Sequence, residues 1–234
     1  MVKINVYAVK VDFTIDKSLF YQLLNYVSPE KSDRILRFYK REDAERGLIS
    51  DLLARYLIGS QLGIENQQIT FGFNEYGKPF LKNDPQFHFN ISHSGEWVVC
   101  ATDRRPLGID VEMIQPVDFN IAKRFFSPTE YLRLIGKDEP ERLSYFFDLW
   151  TLKESYLKAT SKGLATDLAS FSIIIDNDRI NLVSANDTGS YHFKQYPIDV
   201  RYKLAVCAQH DDFANEVDLI DWERVVQRYA ETAF

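Results

Sequence analysis

Cysteine is scarce: Cys100 and Cys207 are the only two in 234 residues. That suits a reducing compartment rather than a disulfide framework, and two cysteines with four scattered histidines do not make a zinc site. Glycine and proline are sparse too, at 10 and 8 residues, which excludes a collagen-like or low-complexity chain. No apolar run approaches the ~20 residues that cross a bilayer, so no membrane partner is expected. The opening stretch MVKINVYAVKVDF alternates and carries charge, unlike the continuous apolar core of a secretory signal, and a cytoplasmic protein is expected. Positive charge is in deficit: 28 Lys and Arg face 34 Asp and Glu, for a net charge of −6. A general nucleic-acid binder needs a basic surface, so nucleic acid is not an expected partner.

Core-forming material is ample, with 45% hydrophobic and 14% aromatic residues. That allows one large domain or two of roughly 100 residues. Strands and helices alternate. A strand is expected at about 2–9, then an amphipathic helix at 16–27 through Leu19, Phe20, Leu23, Leu24 and Val27. Ser28-Pro29 reads as N-cap and first helical residue, opening helices over roughly 29–41 and 43–61, with Gly63 as the stop. Strands follow at 69–73, 87–91, 96–102 and 107–112. Ser127-Pro128-Thr129-Glu130 is a capping box. A helix at 140–160, strands near 170–175, 179–184, 191–196 and 202–208, and a helix at 221–231 complete the chain. WVVCATD (97–103) and LAVCAQHD (204–211) hint at duplication, but four matching residues leave it open. No Gly/Ser/Pro linker divides the halves, so any two lobes must pack closely.

Several residues invite chemistry. Asp110 and Glu112, two apart on a strand, share a face, while Ile109 and Val111 point the other way. Adjacent carboxylates repel unless a positive charge lies between them. A hard divalent cation such as Mg²⁺ satisfies that, and so does a solvated polar face, which is the commoner outcome. In the long helix, Trp150, Glu154 and Leu157 fall on one stripe, placing a glutamate where core residues belong. Flanking lysines can pair it; alternatively, a third carboxylate completes a Mg²⁺ site for phosphoryl transfer. Ser92 and His93 lie in a strand ending in a small-residue turn, without the G-x-S-x-G elbow of a hydrolase. His93 suits an anionic ligand or only local hydrogen bonds. Gly72 to Lys78 fits G-x-x-x-x-G-K, but Pro79 stands where a phosphate-binding loop needs Ser or Thr. A tight turn presenting Lys78 fits better. Residues 31–46 carry Lys31, Arg34, Arg37, Lys40, Arg41 and Arg46 against four acids, a positive face suited to a phosphate-bearing ligand or simply to solvent.

Taken together, EYGKPFL (75–81), FHFNISHSGEWVVCA (87–101), PLGIDVE (106–112), AKRFFSPTEY (122–131) and FFDLWTLKESYLKATSKGL (146–164) resemble the 4′-phosphopantetheinyl transferase superfamily. SPEK (28–31) and FYKREDAERGL (38–48) extend the likeness, which is closest to the Sfp-type branch, the surfactin-synthetase-activating enzymes of bacteria. The resemblance covers nearly the whole chain. It implies an α+β monomer of two pseudo-symmetric, tightly packed α/β lobes, residues 1–104 and 105–234, the second carrying the metal site. The implied reaction moves the 4′-phosphopantetheine arm of coenzyme A to a serine of an apo carrier protein of nonribosomal peptide, polyketide or fatty-acid synthesis. Adenosine 3′,5′-bisphosphate is released.

By matching position, Asp110, Glu112 and Glu154 would hold Mg²⁺, with Mn²⁺ able to substitute. Lys158 would contact the pyrophosphate, and Lys153 would steady phosphate charge. Lys31, Arg46 and His93 would grip the 3′-phosphate, and Gly77, Lys78, Pro79 and Ser92 would line the adenine-ribose side. Either Glu154 directly or Glu112 through a water would take the serine proton. Acidic carriers would dock around 115–135, where Phe119, Ile121, Phe125 and Phe126 are candidate anchors and Lys123 and Arg124 supply positive charge. Phe126, next to the cap, is the one expected in the core. The competing readings are a metal-dependent hydrolase of the coenzyme A pyrophosphate and a non-catalytic binding module.

Overall fold

The computed structural model describes residues 3–13, 15–161, 166–177, 179–184 and 189–230. Strand β1 (Asn5–Lys10) is followed by helices α1 (Lys17–Leu23), α2 (Pro29–Leu36) and α3 (Arg41–Leu62). Strands β2 (Phe71–Phe73), β3 (Pro79–Leu81), β4 (His88–Ser94), β5 (Trp97–Asp103) and β6 (Leu107–Met113) come next. Helices α4 (Asn120–Phe125), α5 (Pro128–Ile135) and α6 (Glu139–Thr160) precede β7 (Phe171–Asp176), β8 (Arg179–Ser184), β9 (His192–Gln195), β10 (Tyr202–Ala208) and β11 (Asp218–Leu219). Helix α7 (Trp222–Ala230) ends the described chain.

Local chemistry sets the helix ends. Ser28 Oγ accepts the Lys31 amide at 3.3 Å with Pro29 in the first turn of α2. Ser127 and Glu130 close the expected capping box reciprocally on α5. Gly63, in the left-handed region at φ 67°, stops α3.

Two main sheets carry the molecule, ordered β11-β1-β5-β4 and β6-β10-β9, antiparallel except that β11 runs parallel to β1. Alternation sorts their side chains into three cores. Val98 and Cys100 of β5 pack with α3, while Ala205 and Cys207 of β10 pack with α6. The opposite faces meet each other: Val6, Val99 and Ala101 from one sheet against Leu107, Ile109, Val111, Leu204 and Val206 from the other. Thus β5 and β10, the strands that suggested duplication, each have neighbours on both sides in their sheets. Both cysteines are buried, and neither is in a disulfide.

The structure departs from the expected elements where segments are short. The 16–27 helix is α1 plus a 3₁₀ turn at Leu24–Tyr26, a common tightening of a final turn. Helix α2 stops at Leu36 rather than 41, and Tyr39 is fully exposed before α3 starts with Glu42 and Asp43 in its first turn. Strands β3 and β11, at three and two residues, offer no period to read. The second lobe does not keep residues 105–234 together: β11 pairs with β1, and Val225 and Tyr229 of α7 join the α3 core. The C-terminal segment therefore straps the first sheet. Val2, Glu231 and positions 162–164 of the last resemblance segment lie outside the described residues. No described helix is long and apolar enough to cross a membrane.

Candidate active site

Strand β6 turns Ile109 and Val111 into the layer between the sheets, leaving Gly108, Asp110 and Glu112 on the face towards α6. At Gly108 a Cβ would lie 2.0 Å from the Ser155 carbonyl oxygen and 2.5 Å from the Ala159 nitrogen. Only glycine lets the helix rest on the strand backbone there. This contact brings the last turns of α6, with Glu154 and Lys158, over the two acids.

Asp110 is 3% exposed. Its Oδ1 accepts from Ser92 Oγ at 2.8 Å and from Lys158 Nζ at 2.6 Å, while Oδ2 is buried with no hydrogen-bond partner among the described residues. Burial pushes its pKa up, against the pull of Lys158 and Ser92. Glu112 Oε2 accepts from Ser94 Oγ at 2.8 Å. Its pKa is raised to about 7, first by burial, then by the Asp110 charge, with a contribution from Glu154. Glu154 is pushed up in the same way, by burial and then by Asp110. The cross-strand neighbour of Glu112 is Lys203, but that ammonium is directed to Asp148 at 2.9 Å.

This donor set suits a hard cation: all oxygen, three carboxyls whose pKa values are raised first by burial, with the Asp110 charge adding to the rise at Glu112 and Glu154, and one desolvated oxygen left over. Among the described residues no three His, Cys, Asp or Glu side chains are already gathered as a metal-binding group. The fit therefore rests on donor chemistry and the orphaned Oδ2.

Strand β4 holds the acids from the other sheet. Asn90, Ser92 and Ser94 share one face by alternation and stitch β4 to β6 with side chains instead of a backbone ladder. Asn90 Oδ1 accepts the Ile109 amide at 2.8 Å, Ser92 Oγ donates to Asp110, and Ser94 Oγ accepts the Met113 amide at 3.1 Å. Lys158 Nζ closes the seam by donating to Ser92 Oγ at 3.0 Å and the Ile109 carbonyl at 3.1 Å.

His93 points away from Ser92 and is exposed. Its pKa is lowered by partial desolvation first and then by Arg46, Lys158 and Lys31, which places it among cations. Arg46 donates to the Gly95 carbonyl at 3.1 Å and pairs with Asp43. Lys31, half-buried in the first turn of α2, has its pKa lowered by burial and lines a cavity of about 730 Å³ with Arg34, Arg55 and Phe71.

Two family models match adjoining stretches of this chain. The 4′-phosphopantetheinyl transferase N-terminal model matches residues 14–105, and the 4′-phosphopantetheinyl transferase superfamily model matches residues 106–207. The chain belongs to the 4′-phosphopantetheinyl transferase superfamily. It is 40% identical over 222 residues to 4′-phosphopantetheinyl transferase Sfp of Bacillus subtilis (strain 168), covering 94% of this chain and 99% of that protein. It is 40% identical over 207 residues to 4′-phosphopantetheinyl transferase gsp of Aneurinibacillus migulanus, covering 88% and 86%. Among solved structures, a holo-(acyl-carrier-protein) synthase from Bacillus anthracis in complex with CoA is 15% identical, with TM-score 0.40, over 44% of this chain and 93% of that one.

Two side chains that the resemblance assigned to ligand contacts in this phosphopantetheinyl transferase are engaged with protein oxygens. Lys153 does not reach the phosphate side: it is 1% exposed and donates to both carboxylate oxygens of Glu130, at 2.8 and 2.7 Å, and to the Phe171 carbonyl at 2.8 Å. It sits next to Glu154 in sequence but a helix turns adjacent side chains about 100° apart, so the two face different neighbours. The Lys78 ammonium is likewise directed at protein oxygens, the carbonyls of Leu107 (2.9 Å) and Lys158 and the Ser161 hydroxyl (3.3 Å).

Sequence reasoning assigned no role to Ser94 or Asn90. The signal was available: once Ser92 is placed on a strand, the residues two before and two after share its face. Glu130 was read only as a cap, and nothing in its spacing announces a partner 23 residues away.

Proposed function

We propose that the seam between β4, β6 and α6 carries out transfer of the 4′-phosphopantetheine arm from coenzyme A to a serine of an apo carrier protein. Support comes from one observation above all: the buried Oδ2 of Asp110, which has no hydrogen-bond partner among the described residues and whose carboxylate pushes the pKa of both Glu112 and Glu154 upward. Asp110, Glu112 and Glu154 are the proposed Mg²⁺ ligands. The bound cation would neutralise charge on the pyrophosphate oxygens as the leaving group departs.

The chain's own side chains do the rest. Ser92 and Ser94 fix the two strand acids, and Lys158 places a positive charge beside Asp110 where the pyrophosphate would lie. Glu154, directly, or Glu112, through a water, removes the proton of the carrier serine. The serine oxygen bonds to the β-phosphorus, the bridging P–O bond breaks, and its electron pair leaves with adenosine 3′,5′-bisphosphate. Positioning and electrostatics supply most of the rate in such transfers. Hydrolysis of the coenzyme A pyrophosphate has no support among relatives named as transferases.

Intact-mass analysis of an apo carrier incubated with coenzyme A, Mg²⁺ and this protein tests the reading. The carrier gains the arm, Mn²⁺ substitutes, Zn²⁺ serves poorly and exhaustive chelation stops the reaction. Cleaved coenzyme A with an unmodified carrier would establish the hydrolase instead.

Lys31 and His93, among the cations near α2 and β4, are the proposed 3′-phosphate contacts together with Arg46. Removing a charged hydrogen bond to phosphate costs roughly 1.5–3 kcal/mol, so Lys31→Ala is expected to raise the KM for coenzyme A about 10-fold or more. The penalty shrinks with 3′-dephospho-coenzyme A. Equal penalties on both substrates would move Lys31 elsewhere.

The proposed carrier surface is the α4–α5 segment, reached directly from β6. Lys123, Arg124 and Ile121 are exposed, Phe119 and Phe125 are half-buried, and Phe126 lies in the core. Lys123→Glu with Arg124→Glu is expected to slow association with an acidic carrier by at least about 10-fold at low salt, less at high salt. Coenzyme A affinity stays near wild type; stopped-flow binding and calorimetry read the two. Loss of coenzyme A binding with intact carrier affinity would place the docking surface elsewhere.

A further inference from the structure

The turn between β2 and β3 belongs to the first half of the chain, yet it grips the end of α6 in the second. Asn74 builds that turn by accepting the Tyr76 and Lys78 amides on Oδ1, at 3.0 and 2.8 Å, with Gly77 in the left-handed region at φ 81°. The same Asn74 donates through Nδ2 to the Ser161 carbonyl at 3.1 Å. Lys78 extends from the turn and donates to the Leu107 carbonyl, the Lys158 carbonyl and the Ser161 hydroxyl.

These acceptors have one thing in common: they bracket the place where α6 meets β6. Lys158 carries one of the last four carbonyls of a helix ending at Thr160, which lack partners inside the helix and sit at its negative pole. A cation there completes the helix end. Leu107 precedes Gly108, the point where α6 rests on the β6 backbone. An ammonium has three N–H donors, and all three directions here lead to protein oxygens.

We infer that Lys78, assisted by Asn74, is a positioning residue of the transfer site: it clamps the C-terminal end of α6 to β6 and so sets Glu154 and Lys158 against Asp110. Lys158 links clamp to chemistry within one residue. Its carbonyl is held by Lys78 while its own ammonium reaches Asp110 Oδ1 at 2.6 Å, and Glu154 lies one turn before it. Without the clamp, the helix end is free to shift along the strand, and displacements of about 1 Å in such sites cost on the order of 100-fold in rate.

The inference rests on the transferase reading, and one set of experiments separates the two. Full-length wild type, Lys78→Met and Asn74→Ala are assayed for carrier loading, with coenzyme A affinity measured by calorimetry and folded fraction by circular dichroism. Lys78→Met is expected to lower kcat about 10- to 100-fold per folded molecule, with the KM and Kd for coenzyme A within about 2-fold of wild type. Asn74→Ala, which keeps the ammonium, is expected to show the same pattern more weakly, and it carries the test should Lys78→Met fail to fold. Lys78→Arg is expected to regain part of kcat, since a guanidinium can still donate to the carbonyls. A KM for coenzyme A raised 10-fold or more at unchanged kcat would make Lys78 a ligand contact and overturn the inference. So would an activity loss that disappears once corrected for folded fraction. No carrier loading by wild type would overturn the transferase reading itself.

Discussion

Asp110→Ala is expected to abolish carrier loading, by well over about 100-fold, while leaving the protein as stable as wild type or more so. The rate loss follows from the proposed ligand role: even partners that only orient a metal ligand are worth roughly 10- to 100-fold, and Asp110 would be a ligand itself. Stability moves the other way because the carboxylate is buried at a cost, with one oxygen unpartnered among the described residues and its pKa raised by desolvation. Lys158, 27% exposed in its side chain, regains solvent once its partner is gone. Active sites commonly trade stability for such strain. Glu154→Ala is expected to behave alike, and Glu112→Ala to lose less if a water fills the vacated position. Intact-mass kinetics and thermal unfolding check both halves. Near-wild-type turnover by either Asp110→Ala or Glu154→Ala would remove the carboxylates from the mechanism.

The largest effect on stability is expected at a pair outside the chemistry. Glu130 and Lys153 are 0% and 1% exposed. Glu130 also accepts the Ser127 amide at 2.7 Å and the Ile173 amide at 2.6 Å, so one carboxylate ties α5, α6 and β7 together. Truncating one member strands a buried charge, which costs about 3–5 kcal/mol. For a chain of this size that lowers Tm by roughly 6–20 °C. Lys153→Met is therefore expected to melt early while the folded fraction keeps a normal KM for coenzyme A. Glu130→Met combined with Lys153→Leu is expected to recover part of the loss, because no lone charge remains. A raised KM at undiminished Tm would return Lys153 to the phosphate site.

Much of this was written locally. The caps at Ser28 and Ser127 and the left-handed stop at Gly63 are decided by a few adjacent residues, since a cap answers only to the backbone beside it. Period-two alternation likewise put Asp110 and Glu112 on one face and Ile109 and Val111 on the other, because a strand's geometry permits nothing else. Motif wording over most of the chain pointed to the family, and both family models match.

Tertiary structure alone decided which charges meet. The two lysines flanking Glu154 looked equivalent in sequence, but Lys158 lies along the helix face turned to β6 and reaches Asp110, whereas Lys153 is turned to α5 and is captured by Glu130. Lys78 pointed to a ligand-facing turn until the end of α6 supplied its acceptors. The return of β11 and α7 to the first sheet was equally unreadable, for two residues of strand carry no period and the partner lies some 200 positions earlier. An ion pair or an edge pairing depends on where a distant element presents an oxygen or an amide, and that position exists only after the layers have packed.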